Sequence, residues 1–174
     1  MNLLAAIAVA HAFEIPAERL RPAVASFTVG AMRGQRIEHR GIVIWDDCYN
    51  SNPEAAQSML DVLRETPAVR HIAVLGEMLE LGDHASELHA AVGRAAAAAK
   101  VDVLLAVGGA PAAALADAAV AAGLSKDAVQ HFGTSAEAAE AAVATTKAGD
   151  LVLVKGSRGV RTDLVVDRLK AERG

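Results

Sequence analysis

The sequence lacks most of the features that mark a secreted, membrane-spanning or nucleic-acid-binding chain. Its 174 residues include one cysteine, Cys48, which excludes an intramolecular disulfide and favours a reducing compartment. Lys and Arg number 17 against 21 Asp and Glu, and no basic cluster carries interleaved aromatics, so a nucleic acid partner is not expected. The apolar opening "MNLLAAIAVAHAFEIP" is interrupted by His11 and Glu14, well short of the roughly 20 apolar residues that span a bilayer. It also lacks the basic region and cleavage site of a signal peptide. We therefore expect a cytoplasmic protein with no membrane insertion.

Aromatic residues are scarce as well, at 3%, although hydrophobic residues make up 53% of the chain. The core must therefore be built from aliphatic side chains, with many alanines that let helices pack closely. The length suits one domain, or one domain and part of a neighbour.

Apolar runs alternate with helical segments from Met32 to the end of the chain. The runs "GIVIWDD", "RHIAVLG", "VDVLLAVGG" and "DLVLVKGS" each contain an unbroken apolar stretch rather than an alternating pattern, which is typical of parallel strands that are buried on both faces. Shorter strands are predicted near Arg36–His39 and Val129–Phe132. The pattern predicts a doubly wound, Rossmann-like α/β fold, with a mostly parallel sheet and helices on both faces.

Residues 1–31 have a different character. Residues 2–13 are predicted to form a helix that is apolar nearly all round and therefore buried. A second short helix, "PAERLRPAVASF", is expected from Pro16, and a glycine-containing linker follows.

In doubly wound folds, ligands bind outside the carboxyl ends of the strands. This rule selects four candidate loops: Asp46–Asn52, Glu77–His84, Gly108–Gly109 and Lys155–Arg158.

The first loop, "WDDCYNSNPEA", is unusually polar. Asp46 and Asp47 repel one another, so a buried pair needs a cation or hydrogen-bond donors; a ribose hydroxyl, a metal or an arginine would supply them. Asn50 and Asn52 offer amide donors and acceptors to a zwitterionic or peptide-like ligand. The alternative is that the aspartates and asparagines only shape the turn.

The last loop, "LVKGSRG", combines Lys155 with a glycine that permits close backbone approach. Ser157 and Arg158 are expected at the start of a helix, where free N–H groups favour an anion. Arg158 is suited to bidentate binding of a carboxylate. The alternative is a plain turn with a solvated arginine. The loop is not a P-loop, because G-x-x-x-x-G-K-[ST] occurs nowhere in the sequence.

Three other classes of site do not fit. Glu77, Glu80, His84 and His89 lack zinc-ligand spacing, so no metal site is predicted. A phosphorylated receiver domain would need an aspartate at the end of "LLAVGG", and none stands there. A nicotinamide-binding domain would need G-x-G-x-x-G after its first strand, and the sequence lacks this motif.

The motifs "DDCYNSNP", "AVLGEMLELGDHASELH" and "GDLVLVKGSRGVR", in this order, resemble the C-terminal domain of the Mur ligase family. The opening "NLLAAIAVA" resembles the tail of the family's central ATPase domain, with Asn2 as the second of a paired asparagine. "MRGQR" resembles the interdomain linker, with Arg33 as its nucleotide-contacting arginine. The resemblance implies that residues 1–31 are the tail of the central domain and the linker, and that residues 32–174 are the C-terminal domain.

The resemblance also implies the chemistry. ATP and Mg²⁺, bound mainly by the central domain, would convert a carboxylate into an acyl phosphate that an amine then attacks. "DDCYNSNP" in place of "DYAHTP" favours the members that add D-alanyl-D-alanine to UDP-N-acetylmuramoyl-tripeptide (UDP-MurNAc-tripeptide). The implied nucleotide contacts are Asn2, Arg33, Asp47 and Tyr49, the substrate contacts are Asn50, Asn52 and Ser157, and the catalytic residues are Lys155 and Arg158.

We expect a C-terminal part of a longer ligase that is inactive without the rest of the ligase chain. The alternatives are another Mur-type or folylpolyglutamate-type amino-acid ligase, or a non-catalytic nucleotide- or anion-binding module.

Overall fold

The computed structural model of the chain describes residues 2–27 and 30–172. It divides into two compact units, Met1–Gly30 and Ala31–Gly174. The first unit contains α1 (Asn2–Ala12) and α2 (Ala17–Ala25). The second contains β1 (Gln35–His39), β2 (Ile42–Asp47), α3 (Pro53–Glu65), β3 (Arg70–Gly76), α4 (Ala85–Ala98), β4 (Val103–Val107), α5 (Ala110–Ala121), β5 (Val129–Phe132), α6 (Ser135–Thr145), β6 (Asp150–Lys155) and α7 (Asp163–Ala171).

The expectation that α1 is buried is wrong. Leu4 is 71% exposed and Val9 is 57% exposed, and Ala10 is the one buried side chain among those described for this helix. The physical reason is that this unit consists of two helices. A helix that is apolar all round then has one neighbour within its own unit, which covers one of its faces at most.

The second unit is built around a six-stranded sheet with the order β1-β2-β6-β3-β4-β5. β1 pairs antiparallel with β2, and every other neighbouring pair is parallel. The predicted doubly wound, mostly parallel α/β fold is confirmed.

Helices cover both faces of this sheet. Successive residues of the central strands point to opposite sides, so Leu151 and Leu153 of β6 join one core while Val152 and Val154 join the other. The first core packs against α3, α4 and α5, and the second against α6 and α7. This two-sided burial explains why the centres of β3, β4 and β6 are apolar at successive positions rather than at alternate ones.

A capping box closes the N-terminus of α6. The Thr134 hydroxyl accepts a hydrogen bond from Glu137 N, and the Glu137 side chain accepts one from Thr134 N, which completes a capping box.

The alanine-rich helices α4 and α5 lie very close together. A Cβ atom added at Gly93 would lie 2.1 Å from the Leu115 carbonyl oxygen and 3.1 Å from Ala119 N. Gly93 therefore sets the distance between the two helices.

Residues 2–27 and 30–172 include no helix with the length and apolar character that crossing a bilayer requires.

Gly93→Ala tests this packing. Alanine favours an isolated helix by about 1 kcal/mol over glycine, but here its Cβ must push the α5 backbone away. We expect a net loss of about 1–3 kcal/mol in the free energy of unfolding, measured by urea denaturation. Arg94→Ala, at the exposed neighbouring position, is the control and should change stability little. A more stable Gly93→Ala variant would contradict the close approach of α4 and α5.

Candidate active site at the carboxyl edge of the sheet

Three loops meet where β2, β6 and β3 end. The parallel register pairs Asp47 of β2 with Lys155 of β6, and Lys155 with Leu75 of β3. The loop after β6 therefore lies between the loops after β2 and β3. Two of these loops carry the polar motifs that the sequence singles out, and the third is the loop "EMLELGDH".

An ion pair ties β2 to β6 at this edge. Lys155 is 3% exposed, and its Nζ donates to Asp47 Oδ2 at 2.6 Å and to the Asn50 carbonyl oxygen at 3.0 Å. A buried ammonium needs such a counter-charge and such acceptors, because it has lost its hydration. The ammonium has three N–H donors, so one remains for a ligand.

The two adjacent aspartates have different roles. Asp46 is buried, and its Oδ1 accepts a hydrogen bond from Cys48 N at 3.3 Å. Only Asp47 pairs with the lysine, so the two carboxylates do not compete for one cation. Burial raises the pKa of the Cys48 thiol above its ordinary value, so this cysteine stays protonated and is not a nucleophile.

Asn50 and Asn52 use their side-chain oxygens within the loop. Asn50 Oδ1 accepts from Ser51 N at 2.8 Å. Asn52 Oδ1 accepts from Ala55 N at 2.8 Å and so forms the N-cap of α3, with Pro53 at the first helical position. Within the described part of the chain, neither Nδ2 amide group has a hydrogen-bond partner. The oxygens shape the turn, and the amide donors remain for a ligand.

Tyr49 provides a flat, half-exposed surface beside this loop. The Cζ atom of Arg33 lies 3.7 Å from the centroid of the tyrosine ring, a cation–π contact. The Tyr49 N–H donates to the Met32 carbonyl oxygen at 3.0 Å, which fixes the turn before β1 against the loop.

The prediction that Ser157 and Arg158 start a helix is wrong. Residues 158–160 form a single 3₁₀ turn, and α7 begins only at Asp163. Arg161 has a left-handed backbone with φ of 63°, which interrupts any continuous helix. The N–H groups of a helix N-terminus are therefore not available at Ser157.

Ser157 instead joins the loops after β6 and β3. It is 3% exposed; its N–H donates to the Glu77 carbonyl oxygen at 3.2 Å, and its Oγ accepts from Leu79 N at 2.9 Å. The neighbouring Arg158 side chain is 57% exposed, with Nη1 3.0 Å from Met32 Sδ and 3.8 Å from Asp163 Oδ2. Its guanidinium can therefore reach a ligand.

These loops enclose two clefts, which we name after their basic residues. The Lys155 cleft, of about 270 Å³, is lined by Arg33, Asp47, Tyr49, Asn50, Ser51, Asn52, Ala55 and Lys155. The Arg158 cleft, of about 620 Å³, is lined by Tyr49, Asn50, Ser51, Asn52, Leu79, Glu80, Leu81, Ser157, Arg158 and Gly159. The segment Tyr49–Asn52 lines both clefts and thus forms their shared wall.

The structure brings together eight of the site residues expected from the sequence: Arg33, Asp47, Tyr49, Asn50, Asn52, Lys155, Ser157 and Arg158. The ninth, Asn2, has a side chain outside the described part of the chain. Lys155 lies with Asp47, Tyr49 and Arg33, whereas Ser157 and Arg158 lie in the other cleft.

Sequence reasoning selected the loop after β3 but not its individual residues. Leu79, Glu80 and Leu81 line the Arg158 cleft, and the loop's position after a buried strand was the one signal for them. The loop Gly108–Gly109 lines neither cleft, because Gly109 N is held by Glu77 Oε2 at 2.7 Å. No three His, Cys, Asp or Glu side chains of residues 2–27 and 30–172 form a group suited to a metal ion.

This arrangement defines a doubly wound α/β domain whose ligand clefts lie at the carboxyl ends of its strands. Residues 32–158 match the family model described as "Mur ligase, glutamate ligase domain". The chain belongs to the Mur ligase family, which confirms the resemblance seen in its motifs.

Similar proteins include the UDP-N-acetylmuramoyl-tripeptide–D-alanyl-D-alanine ligase of Synechocystis sp., which is 33% identical over 174 residues, covering 98% of this chain and 37% of that protein. The crystal structure of MurF from Acinetobacter baumannii superposes with a TM-score of 0.82 at 26% identity, over 97% of this chain and 36% of that one. MurF ligase from Thermotoga maritima in complex with ADP superposes with a TM-score of 0.70 at 28% identity. The match covers 84% of this chain and 32% of that one. The chain thus spans about a third of the length of these relatives.

The Asp47–Lys155 pair makes a testable contribution to stability. Asp47→Ala leaves the ammonium buried without a counter-charge, so we expect a loss of about 3 kcal/mol in the free energy of unfolding. Lys155→Met should cost less, because the Asp47 side chain is 18% exposed against 3% for Lys155 and is partly hydrated. In urea denaturation, the double variant should lose clearly less than the sum of the single variants. Additivity within about 0.5 kcal/mol would show that the two charges do not interact.

Proposed function

We propose that this chain is the C-terminal part of an ATP-dependent ligase of peptidoglycan synthesis in the cytoplasm. The ligase adds D-alanyl-D-alanine to UDP-MurNAc-tripeptide through an acyl phosphate. The observation that carries the proposal is the wall Tyr49–Asn52, which separates a cleft suited to a nucleotide from a cleft suited to a short peptide. The names of the relatives agree with both ligands.

Residues 1–31 are assigned to the tail of the central ATPase domain and the linker, and residues 32–174 to the C-terminal domain. The division of the structure between Gly30 and Ala31 supports this boundary. Asn2 is assigned to the nucleotide with the central domain.

The Lys155 cleft is assigned to ATP. The Tyr49 ring and the Arg33 guanidinium offer flat surfaces for a purine. Asp47 Oδ1, which accepts no hydrogen bond within the described residues, is available to a ribose hydroxyl. Mg²⁺ is assigned to the central domain, as the family resemblance implies.

The Arg158 cleft is assigned to D-alanyl-D-alanine. The exposed Arg158 guanidinium suits the dipeptide's carboxylate, and the Nδ2 groups of Asn50 and Asn52 suit its peptide oxygen. Ser157 holds the floor of this cleft through its hydrogen bonds to Glu77 and Leu79.

Lys155 is assigned to the reacting carboxylate. Its hydrogen bonds to Asp47 and to Asn50 of the shared wall leave one N–H for the tripeptide carboxylate or the acyl phosphate. The dipeptide's ammonium first loses a proton to solvent, and the neutral amine nitrogen forms a bond to the acyl carbon. The bond from that carbon to the phosphate oxygen then breaks, which releases phosphate, and the nitrogen loses its second proton. Acyl phosphates hydrolyse easily, so a domain that closes over the reaction and excludes water is useful.

Kinetics of the ligase that contains this chain would test the acceptor site. Asn52→Ser keeps an oxygen for the α3 cap but removes the amide donor, and Arg158→Lys keeps the charge but removes bidentate geometry. We expect Asn52→Ser to raise KM for D-alanyl-D-alanine about fivefold, the effect of losing one neutral hydrogen bond. Arg158→Lys should raise it about tenfold, the effect of losing one charge-assisted hydrogen bond. KM for ATP should change little.

Two outcomes would contradict the assignment. An unchanged KM for the dipeptide in both variants would remove the acceptor from the Arg158 cleft. Turnover with glutamate or another single amino acid, and none with D-alanyl-D-alanine, would instead favour a different Mur-type or a folylpolyglutamate-type ligase.

The 174-residue chain by itself should not turn over, because its sequence contains no P-loop to hold the ATP phosphates. A coupled assay of ADP release with all three substrates should give only the background rate. Catalytic ADP release that depends on the dipeptide would disprove this prediction.

A further inference from the structure

We propose that Glu80 binds the ammonium group of the acceptor dipeptide in the Arg158 cleft. The proposal rests on the proposed function, because it assigns a further contact to the same acceptor.

Glu80 has the charge that a dipolar ligand requires at this place. Among the residues that line the Arg158 cleft, it is the one carboxylate and Arg158 is the one guanidinium. They belong to the loops after β3 and β6, which are neighbouring strands. One cleft therefore carries an acid and a base on adjacent loops, which matches a ligand with an ammonium at one end and a carboxylate at the other.

The Glu80 carboxylate has no internal role in the described part of the chain. It is exposed and takes part in no hydrogen bond or ion pair there. Its neighbour Glu77 differs, because its Oε2 accepts a hydrogen bond from Gly109 N at 2.7 Å. Glu77 therefore serves the fold, whereas Glu80, which lines the Arg158 cleft, is free for a ligand.

The backbone at Glu80 supports a functional reason for this residue. Its φ is 66°, in the left-handed region that residues with a Cβ disfavour. Glycine or asparagine would adopt this conformation more easily, so the turn alone does not account for a glutamate. Disfavoured conformations of this kind occur at ligand sites when the surrounding structure enforces them.

The three residues before Glu80 are each held by a different element. Glu77 N donates to the Val107 carbonyl oxygen at 2.8 Å, Met78 N donates to His89 Nε2 at 2.8 Å, and Leu79 N donates to Ser157 Oγ at 2.9 Å. His89 is fully buried, and its Nδ1 is 2.6 Å from the Ala85 carbonyl oxygen. The loop is thus rigidly placed up to the residue that carries the free acid.

D-Alanyl-D-alanine has the complementary chemistry. Its ammonium would contact Glu80, its carboxylate would contact Arg158, and its methyl groups would lie against apolar surface from Leu79 and Leu81. An acylated amine would leave the Glu80 carboxylate facing an uncharged group. The contact therefore selects a free amine, which is the group that the ligation reaction needs.

Titration of the 15N-labelled 174-residue chain with three peptides tests the proposal. The peptides are D-alanyl-D-alanine, N-acetyl-D-alanyl-D-alanine, which lacks the ammonium, and D-alanyl-D-alanine amide, which lacks the carboxylate. Wild type should bind the parent dipeptide about tenfold more tightly than either analogue, as for the loss of one charge-assisted hydrogen bond. Glu80→Gln should lose the preference over the N-acetyl peptide and keep the preference over the amide. Arg158→Gln should lose the preference over the amide and keep the preference over the N-acetyl peptide.

Glu80→Gly is a second variant that separates binding from folding. It removes the carboxylate and relieves the left-handed conformation, so its Tm should equal or exceed that of wild type while it too loses the preference for a free amine. If Glu80→Gln or Glu80→Gly still discriminates against the N-acetyl peptide, the proposed role of Glu80 is wrong. The acceptor site of the proposed function would not be affected by that result. A wild-type chain that binds none of the three peptides would instead contradict the acceptor site of the proposed function, and the role of Glu80 with it.

Discussion

The central place of β6 in the sheet is the constraint on which the site depends. Because β6 runs parallel between β2 and β3, its last residue, Lys155, is flanked by the ends of both neighbours. A charged residue at that position is buried on all sides, and Asp47 on β2 is the counter-charge that makes its burial tolerable. The same ammonium also holds the Asn50 carbonyl. One ion pair thus fixes both the sheet edge and the wall between the clefts.

Hydrogen bonds from polar residues hold the loops at the carboxyl edge in place, and these residues have further polar groups to offer. Asn52 caps α3 with its oxygen and keeps its amide, and Ser157 accepts from Leu79 while its own N–H binds Glu77. Each of these residues satisfies a backbone group that would otherwise be unpaired. Its remaining donors are then presented in a fixed direction, so a ligand meets a preorganised surface.

The sequence predicts the fold well because its signals are local. Unbroken apolar runs such as Leu151–Val154 indicate strands buried on both faces, and Thr134 with Glu137 marks the start of α6. The carboxyl-edge rule then selects the right loops. Two expectations were wrong for reasons that are not local. The burial of α1 depends on what its faces meet in space, and the helix expected at Ser157 is interrupted by the left-handed backbone of Arg161. Nor does the sequence reveal the left-handed conformation of Glu80, which follows three residues that separate elements hold by hydrogen bonds.

The shared wall has a consequence for any attempt to change what this domain accepts. Tyr49–Asn52 faces both clefts, so a substitution there alters two binding surfaces at once, and a gain for one ligand is coupled to a change for the other. Leu79–Leu81 faces the Arg158 cleft alone. Redesign of acceptor preference should therefore begin on that side, where the two binding properties can be varied separately.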